Sequence, residues 1–147
     1  MHRSSAVPLT LALLFGASVA HAEGKLGVFD AWIRQAPPGA TMMAGYATLK
    51  NTGDAPITVL TVQSDAFRMT SVHETIVAND MAKMREVHRL AVPAGDEVRM
   101  EPGGRHLMLM QPRHDIVPGD KIEVVFLLAD GTRLQTYFDV LPSDASD

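Results

Sequence analysis

Apolar and polar positions along most of the chain fall into short extended segments, each closed by a cluster of turn residues. The pattern predicts strands at Leu26–Arg34, Gly45–Lys50, Ile57–Gln63, Met69–Val77, Ala82–Val92, Glu97–Met100, His106–Met110, Ile122–Leu128 and Arg133–Val140. Between them stand Pro37-Pro38-Gly39, Asn51-Thr52-Gly53, Pro93-Ala94-Gly95, Pro102-Gly103-Gly104 and Pro118-Gly119, whose restricted or permissive backbones interrupt extended chain. Asp130-Gly131, between VVFLL and LQTYF, is the strongest hairpin signal. No window beyond the first 22 residues sustains a helical period over three turns. Many short strands with Pro/Gly turns predict an all-β fold, an antiparallel sandwich or barrel. Leu107 and Leu109 are the expected centre of its core, with Val124, Phe126, Leu128, Tyr137 and Val140 as neighbours, and the single Trp32 is expected to be buried.

The N-terminus breaks this pattern. Arg3 precedes a mostly apolar run from Ala6 to Val19, and Ala20-His21-Ala22 supplies a small-x-small cleavage pattern. Residues 1–22 therefore read as a signal peptide, leaving 23–147 as a single domain that is exported and then not inserted in the membrane. Removing the segment moves the formal charge from −4 to −5. A mildly acidic chain without basic runs gives no electrostatic reason to expect nucleic acid.

Cysteine is absent. The domain is thus expected to hold its core without disulfides, and it has no thiol nucleophile, iron–sulfur ligand or thiolate for a blue-copper centre. No nucleophile elbow surrounds Ser64 or Ser71, no phosphate-cradling Gly-rich loop precedes a helix, and Asp96-Glu97 lies in a turn. Nothing positive points to an enzyme.

The chemistry that remains is soft. After residue 22 there are four histidines (73, 88, 106 and 114) and eight methionines (42, 43, 69, 81, 84, 100, 108 and 110). Strand preference does not explain so many methionines, because Val and Ile fit pleated chain better. In GGRHLMLM, His106, Met108 and Met110 alternate with Leu107 and Leu109, so leucines line one face and an imidazole and two thioethers the other. A turn around Ala78-Asn79-Asp80 brings the segments carrying His73 and Met84 toward each other. Two imidazoles and two thioethers make a neutral, soft donor set, suited to Cu(I) rather than to zinc, calcium or magnesium. Taken singly, each of these residues reads as ordinary packing. Met81 is an alternative to Met84, Met110 shares the donor face, and Met42 and Met43 read as loop packing with a possible transient contact. His88 and His114 read as surface residues.

Ten residues separate His73 from Met84, 21 separate Met84 from His106, and one separates His106 from Met108. This H-x10-M-x21-H-x-M spacing resembles the PCuAC family of periplasmic copper chaperones. The HET at His73, the VPAG turn at Val92–Gly95, the PGGRHLMLM run at Pro102–Met110, the Pro37-Pro38-Gly39 region and GYATLKNTG are similar as well. The resemblance implies a cupredoxin-like antiparallel Greek-key β-sandwich or barrel in the periplasm, binding Cu(I) near its surface through His73, Met84, His106 and Met108. It also implies delivery of copper to the CuA subunit of cytochrome oxidase, alongside a Sco-type thioredoxin-fold assembly protein. Two rival functions stand beside it: copper storage or resistance, and a structural β-sandwich with no metal role.

Overall fold

The computed structural model describes residues 25–145, so the signal peptide expected over 1–22 lies outside the described residues. Ten strands follow in chain order: β1 Leu26–Arg34, β2 Met42–Asn51, β3 Ile57–Gln63, β4 Phe67–Ala78, β5 Met81–Glu86, β6 Leu90–Val92, β7 Glu97–Met100, β8 Arg105–Pro112, β9 Lys121–Leu128 and β10 Arg133–Leu141. No helix occurs among the described residues, and the fold is the all-β, cupredoxin-like one.

The hydrogen-bonded order is β5-β4-β8-β7-β2-β1-β10-β9-β3-β6, with β8 also paired to β2. Most ladders are antiparallel, but β1 runs parallel to β10 and β7 touches β8 in parallel. The antiparallel expectation is corrected there: β1 and β10 lie far apart in sequence, so no hairpin dictates their relative direction. Inward residues of both halves of the sheet join one core, in which Ile33, Leu49, Leu107 and Leu109 meet Val62, Val124, Phe126 and Phe138. The Asp130-Gly131 hairpin forms as expected, with Gly131 at φ 88°.

Three expectations change. The extended segment Ala82–Val92 is two strands, β5 on the edge of β4 and β6 on the edge of β3. Tyr137 is 56% exposed while Phe138 is fully buried, because alternation along β10 turns 134, 136, 138 and 140 away from 137. Trp32 is only half-buried: its ring tilts against Tyr46 at 4.7 Å between centroids, and the Arg34 guanidinium lies over it at 5.4 Å.

Asn51 is the polar post of the core. Its side-chain amide donates to the carbonyls of Ala55 and Val92, and its Oδ1 accepts from the Gly53 amide, which fastens the turn after β2 to β6. Its side chain is therefore satisfied despite complete burial.

Candidate metal centre

The site is built on the β4–β8 ladder. In this antiparallel register His73 stands directly opposite His106, Ser71 opposite Met108 and Met69 opposite Met110. Directly opposed residues share a face. Leu107 and Leu109 point the other way and are fully buried, which pins the register: a one-residue slip exchanges leucine for imidazole and thioether. The hydrophobic effect acting on the leucines thus decides where the soft donors emerge. The loop before β8 is closed by the Glu101 amide bonding to the Arg105 carbonyl at 2.8 Å, across a turn with Gly103 at φ 82°.

The two imidazole rings have centroids 6.1 Å apart and planes inclined at 32°. A metal–nitrogen bond is about 2 Å and a ring nitrogen stands roughly 1 Å from its ring centre, so two imidazoles sharing one ion have centres at most about 6 Å apart. The observed 6.1 Å stands at that limit, so the rings as placed meet a shared ion only in a near-linear arrangement, and a bent one with further donors draws them slightly closer.

Hydrogen bonding prepares the rings differently. Nδ1 of His106 lies 3.1 Å from the Gly104 carbonyl oxygen, an acceptor, so Nδ1 carries the proton and Nε2 the lone pair. Nε2 of His73 lies 3.0 Å from the Ser71 hydroxyl, whereas its Nδ1 is buried with no hydrogen-bond partner. An orphaned ring nitrogen in a half-buried histidine is a free donor. Among the described residues no third group orients the ring from the side away from Ser71. Ser64 is occupied elsewhere, donating to the Glu123 carbonyl.

Burial lowers the pKa of His73 below its ordinary value; the Glu86 carboxylate opposes this and the facing His106 adds to it. Neutral imidazole, the ligating form, is thereby favoured. Behind this face Glu74 is held between two guanidinium groups, Arg85 at 2.7 Å and Arg105 at 3.2 Å. The Arg85 hydrogen bond is the main cause of its lowered pKa. The pair clamps β4 to both neighbours with charges on the side opposite the imidazoles.

Met84 sits on β5, opposite Thr75, and therefore on the same face as His73 and one diagonal position away. It is 65% exposed. The hairpin that carries it turns through Asn79 and Asp80, at φ 53° and 60°, the two left-handed residues of a primed two-residue turn. Met81 falls on the opposite face of β5 by alternation, so it does not substitute for Met84. Met43 is partly buried against the core, while Met42 and Met69 are exposed and flank Met110. His88 and His114 are exposed, as expected. Among the described residues no group of three His, Cys, Asp or Glu side chains is placed to hold an ion, so a hard-donor site has no support there. Ser71, Glu86 and the Gly104 carbonyl are the contributors that sequence alone did not single out. Ser71 was marked only by its place two residues before His73.

The LpqE-like family model matches residues 26–140. Protein Lxx21020 of Leifsonia xyli subsp. xyli, which bears a lipoprotein name, is 34% identical over 106 residues, 71% of this chain and 63% of its own length. Protein RP573 of Rickettsia prowazekii is 32% identical over 91 residues, 61% of this chain and 50% of its own. The match thus spans less than two thirds of either relative. Among solved structures, the copper-bound PCuAC domain from PmoF2 superposes with a TM-score of 0.68 at 22% identity, covering 83% of this chain and 98% of that one. The solution structure of CuI-DR1885 from Deinococcus radiodurans gives 0.64 at 27% identity, covering 82% and 80%. A match along nearly the whole described chain, on the same β architecture, identifies the protein as a member of the LpqE-like family, which is the PCuAC family.

Proposed function

We propose that this protein is a periplasmic Cu(I) carrier that holds its ion through His73, Met84, His106 and Met108 and passes it on without catalysing a reaction. The observation that carries the reading is the His73–His106 rung, with ring centroids 6.1 Å apart and Met108 next along the same face. Burial favours the neutral, ligating form of His73, the Gly104 carbonyl orients the His106 ring, and thioethers are neutral and soft, so the set favours Cu(I). Copper-bound relatives of the same fold, the PmoF2 domain and CuI-DR1885, support the cargo. The apolar N-terminal segment and the lipoprotein name of a relative support export.

Copper is cargo here, and the protein's part is to hold it and let it go. His106 is 7% exposed and anchored on the central strand, whereas Met84 lies on the open edge. An acceptor's donors enter as Met84 leaves first, then Met108, so the ion is never bare. The family resemblance points to the CuA subunit of cytochrome oxidase as receiver, with a Sco-type assembly protein as a companion.

Anaerobic Cu(I) titration against a chromophoric competitor tests the site. Wild type is expected to bind one tight equivalent that His106→Ala and Met108→Leu both lose. Binding undiminished in both variants overturns the site and favours a structural β-sandwich. Transfer of the bound ion to an oxidase CuA domain then separates carriage from storage.

A further inference from the structure

Met110 has a methionine on each side. In the β2–β8 ladder it stands opposite Met42, and in the β4–β8 ladder opposite Met69. The three residues form one straight row across three adjacent strands, on the face that also carries His106 and Met108. Met42 is 52% exposed and Met69 55% exposed, so the row opens to solvent. The backbone beneath it is fixed, since the Gln111 amide donates to the Thr41 carbonyl at 2.7 Å and locks β8 to the start of β2.

Packing does not account for the row. Met43, one residue from Met42, turns into the core, so this part of the chain already supplies its interior methionine. Apolar side chains in register on strands, here two exposed ones flanking the half-buried Met110, are more often Val or Ile. Here all three are thioethers, flexible enough to lean inward over the central one. Neighbouring strands are about 4.8 Å apart, so Met42 and Met69 stand about 10 Å apart with Met110 between them.

We propose that Met42, Met69 and Met110 form a second, thioether-only site for Cu(I). Three neutral sulfurs bind a soft monovalent ion and reject zinc, calcium and magnesium. The row lies four residues along β8 from His106, about 13 Å, with Met108 midway. It is placed to receive an ion at the rim and feed it through Met108 to the histidine pair. Only that direction of transfer rests on the function proposed above; binding by the row stands on its own register.

The test uses Ag(I), a redox-inert stand-in for Cu(I), with the full chain labelled at its methionine methyls. Wild type is expected to take a second equivalent of Ag(I) that shifts the methyl signals of Met42, Met69 and Met110 together. Met42→Leu/Met69→Leu/Met110→Leu, which keeps volume and apolarity, should lose the second equivalent and keep the first. In His73→Ala/His106→Ala the three methyls should still shift. A triple leucine variant that still takes two equivalents overturns the proposal, as do three methyls that stay unmoved in wild type. Failure of the histidine site has a different signature: the first equivalent survives His73→Ala/His106→Ala unchanged.

Discussion

The Gly104 carbonyl oxygen accepts from two directions, the Thr75 amide of β4 at 3.2 Å and the His106 ring nitrogen Nδ1 at 3.1 Å. One backbone oxygen thus ties the strand carrying His73 to the orientation of the His106 ring.

Because that oxygen only accepts, metal-free His106 should exist as the Nδ1–H tautomer, with Nε2 facing the ion. Nitrogen-15 NMR of the imidazoles reads this directly. Addition of Ag(I) is expected to move Nε2 of His106 and leave Nδ1 protonated. A metal-induced shift on Nδ1 instead contradicts the arrangement.

Ser71 is the hydrogen-bond partner of the His73 ring. Removing a group that orients a ligand typically costs about 10–100-fold in metal affinity. Ser71→Ala should therefore weaken Cu(I) binding within that range while the melting temperature stays close to that of wild type. Unchanged affinity means that the hydroxyl does not set the ring.

Burial holds His73 below the ordinary histidine value near 6.5, against the pull of Glu86. The unfolded chain takes up this proton first as pH falls, so folding stability declines from that ordinary value down to the folded one. Proton NMR of the metal-free protein should give a His73 midpoint below 6.5. Glu86→Gln, which removes a charge favouring the imidazolium, should lower it further. A midpoint above the ordinary value reverses the sign and rejects the account.

Gly45 faces Leu107 across the β2–β8 ladder, and a Cβ there meets the Leu107 Cβ at 3.3 Å and Leu109 Cδ1 at 3.4 Å. Leu107 is fully buried and its Cβ is fixed to the backbone, so it has no room to yield. Gly45→Ala should destabilise by about 1–3 kcal/mol, the usual cost of overpacking. Chemical denaturation checks this, and a stabilised variant shows that the strands separate freely.

Strand positions were legible where apolar alternation met Pro or Gly, as in β1, β3 and β7, whose limits match the sequence pattern. The break between β5 and β6 was not, because Val87-His88-Arg89 contains no turn residue and the separation is tertiary: one strand completes β4 and the other β3. Tyr137 shows a parity error, since 137 and 140 cannot face the same side of one strand. The donor spacing was readable as a family resemblance, and the alternation in GGRHLMLM told which face carries His106 and Met108. The opposition of His73 and His106 was not readable, for it depends on register between strands more than 30 residues apart. Nor was the methionine row, which needs two ladders at once.

All six residues of β5 are exposed, whereas β8 interleaves its donors with Leu107 and Leu109 at the centre of the core. Peeling β5 away uncovers little apolar surface; lifting β8 undoes the whole interior. Amide hydrogens should accordingly exchange early along β5 and last along β8. The domain is bound like a book: its outermost leaf turns with Met84 on it, while the spine that holds His106 and Met108 stays sewn.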